Sequence, residues 1–218
     1  MSTFTTPPSI WVGQRLHVVS LAFLLLVSYW AWAFLGKPFP VAFWSATSFP
    51  IVHQVFVWLA WRLELQYSLV SKTIGLRSYI VLFFFLFGGR FISLLFLSWL
   101  DRGSLTLHTI PLTIITIALT LPGLYAIYSV RRYFGMVRAA GADHFDPTYR
   151  TIPFVKEGIF KFTNNAMYTY AFLLFWAIAT GFNSSAALVV AAFSHAYIWV
   201  HFYATEKPDM DFLYSSAE

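Results

Sequence analysis

Residues 16–35 read LHVVSLAFLLLVSYWAWAFL, twenty residues with no Asp, Glu, Lys or Arg among them. A helix of about 20 residues, rising about 1.5 Å per residue, crosses a hydrocarbon core about 30 Å thick. The run is too long and too aromatic for the core of a signal peptide, and no small-residue cleavage site follows it. It is predicted to be a first membrane helix. A tight turn is expected at Gly36-Lys37-Pro38-Phe39-Pro40. Ahead of it, residues 1–15 are polar and contain Pro7-Pro8, which predicts a short disordered or interfacial start.

Working outward, three more apolar runs are expected to span: Val41 to Arg62, with a kink at Pro50; Tyr79 to Leu100; and His108 to Val130, with Pro122-Gly123 inside it. A polar loop is expected from Leu63 to Ser78. The chain then changes character. Residues 131–165 are its longest polar stretch. Two shorter apolar runs follow, Ala166 to Thr180 and Ala186 to Tyr203. Gly181-Phe182-Asn183-Ser184 separates them, which predicts a helical hairpin whose first arm is short for a span. A polar tail runs from Ala204 to Glu218. The fold class is therefore all-α: a polytopic membrane helix bundle of four N-terminal spans (1–130) plus a second part (131–218) with a C-terminal hairpin.

Composition agrees. Charged residues make up 11% of the chain, where soluble domains carry about a quarter, so a soluble fold would lack the polar surface to cover itself. The absence of cysteine excludes disulfides, thiol nucleophiles, thiolate metal sites and palmitoylation. No other metal-ligand set is assigned. The net charge of +5 comes from basic residues scattered between apolar runs, which fits anionic lipid rather than a nucleic-acid partner. With the N-terminus in the cytoplasm, Arg15, Arg62, Lys72, Arg77, Arg131, Arg132, Arg138, Arg150, Lys156, Lys161 and Lys207 fall inside, while only Lys37 and Arg102 fall outside. Both termini are thus expected to be cytoplasmic, with 131–165 and 204–218 on one membrane face. There is neither a phosphate-binding Gly-x-x-x-x-Gly-Lys loop nor a Gly-x-Gly-x-x-Gly, so any nucleotide-like cofactor is bound without a Rossmann domain.

Three elements in that C-terminal part stand in order. They are Arg131-Arg132-Tyr133-Phe134-Gly135, then Asn164-Asn165-Ala166-Met167-Tyr168, and, after the hairpin, Thr205-Glu206-Lys207-Pro208 with Tyr214 beyond it. Over roughly Leu119 to Tyr214 the chain resembles the integral membrane phospholipid methyltransferases and isoprenylcysteine carboxyl methyltransferases, and the phosphatidylethanolamine branch most. That branch carries Tyr-Phe-Gly, then Asn-Pro-Met-Tyr, an apolar hairpin and Glu-Glu-Pro. Here Ala166 replaces the Pro, Thr205 stands at one acid, and one residue is inserted before Pro208. The branch's Gly-x-Gly before Tyr-Phe-Gly is also missing.

The resemblance implies S-adenosylmethionine as methyl donor, held at the cytoplasmic face by residues 131–218. It implies a membrane lipid acceptor entering sideways, with the amine of a phosphatidylethanolamine-type phospholipid favoured. A carboxylate on a prenylated or small apolar acceptor, and a non-catalytic member of the same fold, are the other readings. The oligomeric state stays open. The donor carries a sulfonium, an ammonium, a carboxylate, a ribose diol and an adenine, so it needs acids, cations and an aromatic slot. Candidate cofactor-binding residues are Arg132, Tyr133, Gly135, Asn165, Met167, Tyr168, Glu206 and Tyr214, with Arg138 as a second cation for the carboxylate.

An amine acceptor must lose a proton before it attacks, and Glu206 and His195 are the candidate catalytic residues, with His201 beside them. On an ideal helix His195, Trp199, Phe202 and Glu206 share a face. Each residue also has a structural reading: Arg131-Arg132 and Met167-Tyr168 as interfacial anchors, Asn165 as a helix cap, His195 as a bundle residue, and Glu206 as a solvated helix end. Arg62 and Glu64 are expected at the interface. Arg90 stands inside the third apolar run after Gly88-Gly89. It reads either as a substrate-binding contact to lipid phosphate or the acceptor pocket, or as a bundle hydrogen bond, for instance to His53.

Overall fold

A computed structural model describes residues 6–163 and 165–214. Residues 1–5 of the polar start, Asn164, and residues 215–218 of the tail lie outside it. Every regular element among the described residues is helical. The helices are α1 (Gln14–Phe34), α2 (Pro40–Tyr67), α3 (Leu69–Thr73), α4 (Gly75–Leu100), α5 (Thr109–Ser129), α6 (Met136–Ala139), α7 (Leu173–Gly181), α8 (Ser185–His201) and α9 (Lys207–Leu213). Short 3₁₀ turns fill much of 142–161. The chain is an all-α membrane bundle, as the apolar runs predict.

Four stretches are long and apolar enough to cross a membrane: α1, α4, α5 continued to Phe134, and Ser185–Leu213. The arm at 167–181 is shorter. Helix α2 has the length, 28 residues, but buries His53, Gln54, Arg62 and Glu64, which lowers its hydropathy. The polar loop expected at 63–78 is instead mostly helix. Ser68 and Gly75 take left-handed conformations that break the chain into α2, α3 and α4. The Glu64 carboxylate ties the first break by accepting from the Ser71 amide at 2.9 Å and its hydroxyl at 2.5 Å. Glu64 is buried structure, not an interfacial charge.

Helix α8 is the axis of the bundle and packs on α1, α2, α4 and α7. Its first half is small, with Ala186, Ala187 and Ala191 fully buried, which lets the neighbouring helices approach closely. Phe43, Leu94, Leu97 and Phe175 fill the space around it. At this end Asp101 holds the start of α8 by accepting from the Ser184 hydroxyl (2.7 Å) and the Ala186 amide (2.9 Å). Ser184 is itself the N-cap, accepting from the Ala187 amide.

At the opposite end three π turns come together: Val130–Phe134 after α5, Met167–Ala171 before α7, and Phe202–Glu206 after α8. A π turn admits one extra residue into a helix, rotating the chain beyond it by about 100°. Pro8 to Ile10 are bound at this end too, in the stretch where a short disordered or interfacial start was expected. The carbonyls of Pro8, Ser9 and Ile10 accept from Gln66, Arg62 and Trp58. Gly13, at φ 81°, lies so close to the Ala204 backbone that no side chain fits.

Candidate active site

The 131–165 segment folds back over the π-turn end and is anchored there by buried charges. Arg62 Nε lies 2.7 Å from Asp209 Oδ1, with both side chains fully buried. His144 bridges two acids, with Nε2 at 3.4 Å from Asp209 Oδ2 and Nδ1 at 3.2 Å from Asp143 Oδ1. Tyr214 donates to the other Asp143 oxygen at 3.0 Å. Two cations thus face two anions, the condition under which buried charge is tolerated.

Burial disfavours the imidazolium, but the bonds to Asp143 and Asp209 outweigh it and hold the His144 pKa up at about 9. Burial likewise pushes Asp143 up, yet His144, Tyr214 and Arg138 bring it below its ordinary value. The Trp61 ring stacks on His144 at 4.0 Å and donates to Tyr79, whose hydroxyl donates to the Ala140 carbonyl at 2.8 Å. Gly141, at φ 83°, sits directly on the Trp61 indole.

This anchoring leaves a cleft of about 480 Å³ between the folded-back segment and the π turns. Its polar groups are Asp143, Glu206, Arg138, Lys156 and Asn165, and its apolar wall includes Phe134, Phe154 and Phe160. Tyr168 donates a short hydrogen bond to Glu206 Oε2 across it. Arg138 donates to the carbonyls of Ile152 (3.0 Å) and Pro153 (3.2 Å), which holds Phe154 over the cleft against Tyr214. The Arg138 Nε is buried with no hydrogen-bond partner among the described residues.

Of the residues singled out in the sequence, Asn165, Met167, Tyr168, Glu206 and Tyr214 all line this cleft, as does Arg138. Trp199, Phe202 and Glu206 meet Tyr168 as their shared face requires, the two rings at 5.9 Å each. Others lie elsewhere. Arg132 and Tyr133 are exposed and face each other on the outside of the first π turn. Gly135 ends that turn at φ 94° and lines no part of the cleft. His195 is half-buried outside the cleft and accepts from Trp176 Nε1 at 3.1 Å. His201 is buried beside Trp61, lining a smaller cavity of about 100 Å³ beneath the cleft. Arg90 lines the same cavity.

Arg62, expected at the interface, is fully buried, because Asp209 and the Ser9 and Thr205 carbonyls surround it. Asp143, His144, Asp209 and Trp61 were not anticipated. Nothing local separates Asp143, which is buried, from Asp146, which only caps a turn through the Thr148 amide.

Fold and site together define an integral membrane protein with a polar, aromatic-walled cleft at one end of its bundle. Residues 112–217 match the model of the phospholipid methyltransferase family, in agreement with the resemblance read from the three motifs. Comparison with curated proteins and with solved structures found no match.

Proposed function

We propose that the chain takes a methyl group from S-adenosylmethionine and transfers it to the amine of a phospholipid headgroup at the cytoplasmic end of the bundle. The observation that carries this reading is the Tyr168–Glu206 hydrogen bond inside the cleft, which joins two motifs 38 residues apart. The residues present suit the donor. A cleft of about 480 Å³ is in the range of small-molecule sites. Asp143 and Glu206 offer acids to a cation or a diol, Arg138 and Lys156 offer cations to a carboxylate, and Phe134 and Phe160 stack to form an aromatic wall.

When bound, the donor's sulfonium supplies an electrophilic methyl group. The protein's part is positioning and proton handling. Glu206 holds the Tyr168 phenol proton at Oε2 and is the base for the proton that an ammonium acceptor must lose. Phe154, placed by the Arg138 hydrogen bonds to the two preceding carbonyls, forms part of the cleft wall beside Tyr214. Thr205, where the family pattern has an acid, is buried and accepts from Gln14, so that position serves the fold while Glu206 alone faces the cleft.

A lipid would reach this site from the bilayer. Helices α4 and α5 share no extended contact among the described residues. Between them the smaller cavity is lined by Phe83, Phe84 and Phe87 on one side and Ile127 and Val130 on the other. The excess of basic residues at the cleft end, among them Arg15, Arg131, Arg132 and Lys207, against Lys37 and Arg102 at the other, supports a cytoplasmic cleft end. Lipid extracts from cells making the protein are expected to gain mono-, di- or trimethylated amine headgroups, and cells making Glu206→Ala are not. Unchanged headgroups from a wild type that binds the donor would reject the phospholipid amine as acceptor.

A further inference from the structure

The small cavity under the cleft shares Trp61, Met167 and Tyr168 with it. Arg90 forms part of its wall from within the apolar helix α4, where a charge is costly unless paired. The residue is 1% exposed. Its guanidinium lies 5.1 Å from the Phe172 ring and 5.5 Å from Phe175, and Nη1 is 3.3 Å from His53 Nδ1. Nε and Nη2 have no hydrogen-bond partner among the described residues. No carboxylate pairs with Arg90 among the described residues. Beside it on the same cavity wall, the Gln54 side-chain amide is buried with neither atom hydrogen-bonded among the described residues.

Aromatic faces alone are a poor counter-charge for a desolvated guanidinium, and the free N–H groups of Arg90 and Gln54 border one small space. A planar fork of donors in an apolar wall is the chemistry of phosphate and carboxylate recognition. At about 100 Å³ the space admits one such group and little more. Arg90 lies outside residues 112–217, so the family match says nothing of it.

We propose that Arg90, with Gln54, is the receptor for the anionic group of the acceptor, a lipid phosphodiester, and so sets which lipids present an amine to Tyr168 and Glu206. Two carbons separate phosphate oxygen from nitrogen in an ethanolamine headgroup. An anion held in the lower cavity therefore leaves the amine at its junction with the cleft, where Tyr168 stands. The assignment of the amine rests on the methyltransferase reading; the anion site rests on the cavity and the unpaired donors.

The test is binding of short-chain lipids to the purified full-length protein in detergent, followed by thermal shift. Dioctanoyl phosphatidylethanolamine is expected to stabilise the wild type and dioctanoylglycerol, which lacks the phosphate, is not. Arg90→Gln is expected to weaken the phospholipid by about tenfold or more while S-adenosylmethionine affinity stays unchanged. Gln54→Leu, which leaves the charge in place, is expected to weaken it less, and reads the same site if Arg90→Gln does not fold. Equal stabilisation by both lipids, or phospholipid affinity unmoved in the folded variants, would overturn the proposal. Octanoate binding in place of the phospholipid would overturn the phosphodiester and assign the receptor to a carboxylate. A wild type that binds phosphatidylethanolamine through Arg90 but transfers no methyl would reject the proposed reaction and leave the anion site standing.

Discussion

Tyr168 and Glu206 meet because two π turns, one before α7 and one after α8, turn their side chains into the same cleft. Replacing Tyr168 by Phe keeps the ring among Phe172, Trp199 and Phe202 and removes only the hydroxyl. A hydrogen bond to a charged group contributes about 1.5–3 kcal/mol, so methyl transfer is expected to fall about 10- to 100-fold with the fold intact. Steady-state kinetics with a labelled methyl donor measures it. A loss confined to KM for the donor would make Tyr168 a binding group alone.

At this scale the sequence was partly legible. Asn165, Met167, Tyr168, Glu206 and Tyr214 lie on short motifs whose residue types match the chemistry, and all five reach the cleft. Arg62, Asp143, His144 and Asp209 were not legible as a group. Each is an ordinary polar residue near a helix end, and only the folding back of 131–165 buries them together.

Among the elements, the connection between α6 and the first 3₁₀ turn decides how the folded-back segment sits. Gly141 turns there at a positive φ with the Trp61 indole against its Cα. Gly141→Ala adds backbone strain of about 1–3 kcal/mol and pushes the indole off His144. Lower thermal stability and weaker donor binding are expected together, because Trp61 and Asp143 both line the cleft. Unchanged donor affinity in a destabilised variant would separate the folded-back segment from the site.

The long helices were plain from the apolar runs, since length and hydropathy alone mark a span, but α3 and α9 lie in an expected polar loop and polar tail. Helix ends were not. Helix α2 runs on to Tyr67 because its polar last turns, Arg62 to Gln66, find partners inside the bundle rather than water. The π turns left no local trace, as a one-residue bulge changes neither composition nor apolar content.

For the whole molecule, the buried ion cluster makes stability depend on pH. The pKa of His144 is held at about 9 in the fold against 6.5 for a free imidazole. Its contribution is fully present below pH 6.5 and is lost as pH rises through about 9, on the order of 3 kcal/mol in all. Asp143 is held below its ordinary value, so its share is lost only in acid. The melting temperature is therefore expected to fall between pH 7 and 9.5, and the slope to flatten in His144→Gln. An equal fall in that variant would place the titration elsewhere.

The central claim is that this cleft, closed by Glu206 and Tyr168, holds the methyl donor. Calorimetric titration of S-adenosylmethionine into the purified protein in nanodiscs, wild type beside Glu206→Ala, tests it most directly. Saturable binding by the wild type and its loss in the variant is the expected result. Equal binding by both would contradict the site, and no binding by a folded wild type would contradict the reaction.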